Sequence, residues 1–267
     1  MPVIETNGIR MSYAERGGGE PLLLIMGITA TGAVWEKHAD YWQKEFRCIF
    51  PDNRGVGETD KPPGPYTSAM MAKDCVGLLD ALSIPKARVV GCSMGSIIAQ
   101  EMMLAYPERV HSAVLMCPWA RVDRYASGIF SHMVHSKARL TPEEFATFIQ
   151  LLIFSKAGWD DTALYKMMLD DRQAAGLNPN PQPLFALEAQ AAACMTHDTL
   201  SRLRNVKCPC LVIGGSGDIF TPTWMAKEIA AAIPGCDLHL YESAGHAFHW
   251  EHLNDFNERV LAWLRAH

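Results

Sequence analysis

The sequence predicts an α/β fold: a mostly parallel sheet covered on both faces, with a helical cap inserted into it. Short apolar runs bounded by glycine or proline recur along the chain and read as strands buried on both faces. Between most of them lie stretches with apolar residues at helical spacing, and such alternation builds parallel sheets. The alternation stops over residues 119–205, where helical periodicity continues without a convincing strand. This divides the chain into a core, 1–118 with 206–267, and a cap, 119–205.

In chain order, Val3-Ile4-Glu5 and Ile9-Arg10-Met11-Ser12-Tyr13 flank Asn7-Gly8, a strong hairpin-turn signal. Leu22-Leu23-Leu24-Ile25-Met26 follows a triple-glycine break as the first doubly buried strand. Further strands are expected at 47–51, 87–92, 110–117, 210–214 and 238–241. Residues 69–82 place Met71, Cys75, Leu78, Leu79 and Leu82 on one helical stripe, and 97–106 form a helix that stops before Pro107. In the cap, a helix is expected over 131–140. Thr141-Pro142-Glu143-Glu144 starts another, with a capping threonine, proline in the first turn and acids beside the helix N-terminus. Residues 185–194 and 256–264 complete the expected helices.

Composition narrows the function classes. Of 267 residues, 49% are hydrophobic and 20% charged, as in an ordinary globular protein with a sizeable core. The formal charge of -5 gives no reason to expect nucleic acid or an anionic membrane as partner. No apolar run approaches a membrane span, and the first residues lack a secretory pattern, so a cytoplasmic location is expected. The eight cysteines are scattered and are expected to be reduced and mostly buried. A homodimer is left open.

The chemistry centres on Gly91-Cys92-Ser93-Met94-Gly95, a G-x-S-x-G motif with an apolar strand before it and a helix after it. Glycines allow the tight strand-to-helix turn, the turn projects the Ser93 hydroxyl, and the helix N-terminus aims N–H groups at a developing anion. A serine hydroxyl needs a base, and the base an orienting acid. Asp218 follows the strand Cys210–Gly214 region and His246 follows the last strand, so the order is serine, acid, histidine. Asp218 also precedes Thr221-Pro222 and reads equally as a turn or helix cap.

These motifs resemble α/β-hydrolases of the capped, single-domain type, and the layout is most similar to 3-oxoadipate enol-lactonase-like hydrolases and carboxylesterases. Asp52-Asn53-Arg54-Gly55-Val56-Gly57-Glu58-Thr59 resembles the family's D-x-R-G-x-G-x-S loop, with Thr59 for serine. The resemblance implies that Ser93, Asp218 and His246 are catalytic and that the N–H groups of Ile28 and Met94 form an oxyanion hole. Met26 stands where the family usually has histidine, and Leu253 where proline is usual. Gly27, Trp119, Phe148 and His249 are candidate substrate-binding residues. No metal or cofactor is expected: the spacing of His246, His249 and His252 is tempting, but no second ligand cluster lies nearby.

The expected activity is hydrolysis of a small-molecule carboxylic ester or lactone through an acyl-enzyme. Alternatives are C–C bond hydrolysis of a vinylogous diketone or perhydrolysis by the same triad, and a ligand sensor that keeps the hydrolase fold. Arg121 and Arg124 would make an anionic lactone credible if they faced the site.

Overall fold

The computed structural model describes every residue, Met1–His267. Strands β1 (Val3–Thr6) and β2 (Ile9–Arg16) form the expected hairpin, with Asn7 and Gly8 both at positive φ, 44° and 78°. Then follow β3 (Glu20–Ile25), α1 (Glu36–Trp42), β4 (Phe46–Pro51), α2 (Ser68–Ala81), β5 (Ala87–Cys92), α3 (Met94–Ala105) and β6 (Val110–Met116). The cap contains α4 (Arg124–Lys137), α5 (Pro142–Ile153), α6 (Lys156–Asp160), α7 (Thr162–Leu177) and α8 (Leu184–Thr196). The chain returns to the core with β7 (Cys210–Gly215), α9 (Thr223–Ala232), β8 (Asp237–Tyr241), α10 (Phe248–Glu251) and α11 (Leu253–Ala266). The strands form one sheet in the order β1-β2-β4-β3-β5-β6-β7-β8. The β1–β2 and β2–β4 pairs are antiparallel, and the rest run parallel.

The side-chain alternation of a strand separates two cores. Leu23 and Ile25 join Val89, Leu115 and Val212 on one face, against Leu78 and Leu79 of α2, Ile97 and Met102 of α3, and Ile229 of α9. Leu22 and Leu24 join Val90, Val114 and Ile213 on the other, against Ala39 and Trp42 of α1 and Phe256, Val260 and Leu264 of α11. A central-strand leucine buried this way stabilises by roughly 1.5–3 kcal/mol. All eight cysteines are free, six of them buried.

In the cap, the capping box of α5 forms as expected: Thr141 Oγ1 accepts from Glu144 N at 3.2 Å, and Glu144 Oε2 accepts from Thr141 N at 2.8 Å. The helix expected over 131–140 begins earlier, at Arg124. Asp123 Oδ1 accepts from Ala126 N at 2.8 Å and so starts it, while the first turn is too polar to show apolar periodicity. Helix α7 gave no sequence signal because only Met168 of its residues is buried.

Polar groups fasten the cap to the core. Ser68 Oγ meets His197 Nδ1 at 2.9 Å, and Thr199 Oγ1 donates to Gln100 Oε1 at 2.6 Å. Gln100 Nε2 donates to the Trp119 carbonyl at 3.0 Å. On the opposite face of the sheet, Asn257 Oδ1 lies 2.6 Å from His38 Nδ1, and His38 Nε2 lies 3.0 Å from His249 Nδ1. Both rings are buried among Trp35, Trp42, Trp250 and Phe256. His249, a candidate substrate-binding residue, has its ring in this aromatic cluster and is tied to α1. With Asn257 as acceptor, His38 carries its proton on Nδ1 and accepts at Nε2 from His249 Nδ1, so His38 is neutral.

Burial lowers the pKa of His38 to about 4, that of His197 to about 3, and that of His249 well below its ordinary value. The unfolded chain takes up protons below pH ~6.5 that these folded sites refuse. Stability is therefore fully present above that pH and falls as the pH drops toward 4, by up to about 1.4 kcal/mol per pH unit for each such histidine. The urea midpoint should drop between pH 7 and pH 5, and His197→Gln should flatten the slope by one histidine's share. A midpoint unchanged over this range would refute the neutral assignment.

Candidate active site

Ser93 sits between β5 and α3 with φ 55° and ψ -118°, a conformation that costs a non-glycine residue roughly 1–3 kcal/mol. Its N–H donates to the Met116 carbonyl at 2.9 Å, and its carbonyl accepts from Ser96 N at 2.8 Å and Ser96 Oγ at 2.6 Å. The flanking glycines are dictated by space. A Cβ on Gly91 would lie 2.3 Å from the Gly95 carbonyl oxygen, and one on Gly95 would lie 2.0 Å from the Ile25 carbonyl oxygen. Ser93 is 4% exposed, and its Oγ is buried without a hydrogen-bond partner.

The loop after β3 runs beside this serine. A Cβ on Gly27 would lie 3.1 Å from Ser93 Cβ. Ile28 comes next, and its N–H is not used in the backbone hydrogen bonding of the loops. Met94 opens α3, so its N–H lacks a partner within the helix and lies at the positive end of the helix dipole. Gly27, Ile28, Ser93 and Met94 thus come together at one end of the sheet.

Asp218 and His246 reach the same end on the loops after β7 and β8. Asp218 Oδ2 lies 2.8 Å from His246 Nδ1, and both side chains are buried. Thr221 Oγ1 donates to the same Oδ2 at 2.8 Å. The other oxygen, Oδ1, accepts from Phe220 N at 2.7 Å and Thr221 N at 2.9 Å. One oxygen thus caps the turn, and the other meets the imidazole. Since the carboxylate accepts at Nδ1, His246 presents Nε2 as its free ring nitrogen. Burial works to lower the His246 pKa, but the charge and hydrogen bond of Asp218 overcome it, leaving a net upward shift.

Two residues that sequence reasoning did not single out complete the surroundings. Cys117 follows β6 with φ 44°, gives its N–H to the Ile213 carbonyl at 2.9 Å and its thiol to the His246 carbonyl at 3.2 Å. Ligand atoms of Cys117, Asp218 and His246 lie within 4.8 Å of one another. An ion held there would compete for the Nδ1 that the carboxylate already engages. The Phe220 ring lies tilted against His246 with centroids 4.9 Å apart and contacts Phe130 at 5.2 Å, which in turn meets Trp119 at 5.6 Å. The signal for Cys117 was its place just past β6, equivalent to that of Ser93 past β5.

Trp119 is thus linked to the imidazole through two rings, whereas Phe148 stays within the cap, its ring against Phe145 and His132. Arg54 pairs with the Asp74 carboxylate through Nε and Nη2, both at 2.5 Å, and so holds its own loop. Arg121 is exposed and pairs with Glu228, and Arg124 is exposed at the start of α4. Glu251 ties the histidine loop to the cap: Oε1 accepts from Ser155 N at 2.7 Å and Oε2 from Gly245 N at 3.2 Å.

The model of the alpha/beta hydrolase fold family matches residues 20–253. The chain belongs to the α/β-hydrolase family. Its relatives differ in the reactions for which they are named. A Mycobacterium tuberculosis protein named as a non-heme bromoperoxidase, BpoC, is 32% identical over 97% of this chain and 98% of its own. The structure of BpoC superposes with a TM-score of 0.87 at 31% identity, covering 96% of each chain. A 2-hydroxy-6-oxo-6-phenylhexa-2,4-dienoate hydrolase of Burkholderia cepacia is 28% identical over 97% of this chain and 92% of its own. A thermophilic esterase from Thermogutta terrifontis superposes with a TM-score of 0.88 at 25% identity, covering 100% of this chain and 99% of that one. The chain is an enzyme of the α/β-hydrolase family, and no helix in it is long and apolar enough to cross a membrane.

Asp218→Asn keeps the shape of the site and removes the charge. It should lower kcat by about 10⁴-fold through loss of the oriented tautomer. It should also move the acidic limb of the pH–rate profile downward, because the carboxylate is what raises the histidine. An unchanged limb, measured as kcat/KM against pH, would separate Asp218 from His246.

Proposed function

We propose that the protein is a serine hydrolase that cleaves a carboxylic ester or lactone through an acyl-enzyme. The observation that carries this reading is the 2.8 Å contact of Asp218 with His246 Nδ1, on loops that converge on the strained Ser93 turn. Ser93 Oγ attacks the carbonyl while His246 Nε2 takes its proton. The N–H groups of Ile28 and Met94 receive the oxyanion, and loss of one such donor costs roughly 10²–10³ in rate. His246 then protonates the leaving alcohol and activates the water that releases the acid. Ser93 Oγ is unpartnered in this structure, so its hydrogen bond to Nε2 forms as substrate is bound. The exposed positions of Arg121 and Arg124 favour an uncharged acyl group over a dicarboxylate.

A second reading, hydrolysis of a C–C bond in a vinylogous diketone, is favoured by the similarity to the dienoate hydrolase, and it uses the same residues.

Hydrolysis of p-nitrophenyl esters from short to long acyl chains tests the first reading. Turnover should peak at one chain length and fall on the order of 10⁴–10⁶-fold in Ser93→Ala. Activity retained by the purified variant would reject Ser93 as nucleophile. Turnover of a ring-cleavage dienoate in preference to every ester would select the second reading.

A further inference from the structure

The cap of this protein is tied to the loop after β3 through the side chain of Gln190. This residue of α8 is completely buried. Its Oε1 accepts from the Thr29 N–H at 3.1 Å and from Gln182 Nε2 at 3.0 Å, and its Nε2 donates to the Arg54 carbonyl at 2.8 Å. These partners settle which end of the amide is which, since an N–H requires an acceptor and a carbonyl a donor.

The Thr29 contact bears on Ile28 through peptide geometry. The Ile28 N–H belongs to the peptide plane joining residues 27 and 28. The plane before it carries the Met26 carbonyl, held by Asn53 Nδ2 at 2.8 Å. The plane after it carries the Thr29 N–H, held by Gln190. Each plane is rigid, so pinning both neighbours fixes the torsions about Gly27 and Ile28 and with them the direction of the Ile28 N–H. Gly27 cannot supply this rigidity itself. It has no side chain to restrict it, and the nearness of Ser93 Cβ leaves little room for one. Thr29 is held at φ 68°, a conformation that a β-branched residue adopts only under external restraint. Asn53 comes from the core, so Gln190 is the cap's share of this restraint.

We propose that Gln190 is a positioning residue for the Ile28 oxyanion donor, so that docking of α8 and assembly of the oxyanion hole are one event. This deepens the serine-hydrolase reading and rests on it. A Gln190 side chain that merely fills space would affect stability and leave transition-state stabilisation alone.

Inactivation by a small fluorophosphonate tests the proposal without a known substrate. The Ser93 Oγ–P bond forms, the P–F bond breaks with loss of fluoride, and His246 takes the hydroxyl proton. The phosphoryl oxygen occupies the place of the oxyanion. Gln190→Met keeps the volume and removes all three side-chain hydrogen bonds. It should slow inactivation by roughly 10–100-fold, short of the full loss of one donor. With p-nitrophenyl acetate, kcat should fall in parallel and KM stay within about twofold, as expected for an interaction made in the transition state. Gln190→Glu keeps the acceptor for Thr29 and should recover most of the rate. Inactivation of Gln190→Met at the wild-type rate would overturn the proposal while leaving the serine reading intact. Failure of the wild-type protein to be labelled at Ser93 would instead remove the reading on which it rests. If Gln190→Met does not fold, Gln190→Glu decides alone: slow inactivation there would assign the effect to the Arg54 loop and reject the role at Ile28.

Discussion

The candidate site depends on the hydrogen-bond ladder of the sheet continuing past the ends of its strands. Ser93 N–H donates to Met116 at the end of β6, Cys117 N–H donates to Ile213 in β7, and Ser216 N–H donates to Tyr241 at the end of β8. Three successive strand ends are thereby held level just where the chain leaves the sheet. A parallel arrangement places all these ends on one side, and the loops that follow carry the hydroxyl, the carboxylate and the imidazole. The strain at Ser93 and Cys117 is maintained because neither residue can relax without breaking this ladder.

Several of the polar groups buried here are fully engaged, in contrast to the unpartnered Ser93 hydroxyl. Asp218 divides its two oxygens between its own turn and His246, with Thr221 beside them. Arg54 and Asp74 are buried as a bidentate pair. The seam between cap and core is likewise a chain of hydrogen bonds, through Ser68, His197, Gln100 and Thr199. Directional bonds of this kind define one cap position far more sharply than apolar contact does.

Much of this was legible in the sequence. Glycine-bounded apolar runs located the parallel strands, and the G-x-S-x-G motif located the turn that carries Ser93. Boundaries failed where the apolar signal was weak: α4 starts at a capping aspartate a turn and more before its apolar stripe, and α7 fully buries only Met168. The pairing of His249 with His38 was not legible, because the two rings lie 211 residues apart in sequence. Cys117 carried only the weak signal of its place past β6, and Phe220 and Gln190 carried none. Each matters through a partner distant in sequence or through a backbone angle, and neither is written in local pattern.

The Ser93 hydroxyl is withdrawn from solvent: the residue is 4% exposed and its Oγ meets no hydrogen-bond partner. A buried hydroxyl with no partner has already given up the water that would bind it in solution, a loss of about 1–3 kcal/mol. That desolvation belongs to the folding of the chain, so a molecule arriving at Ser93 does not have to supply it.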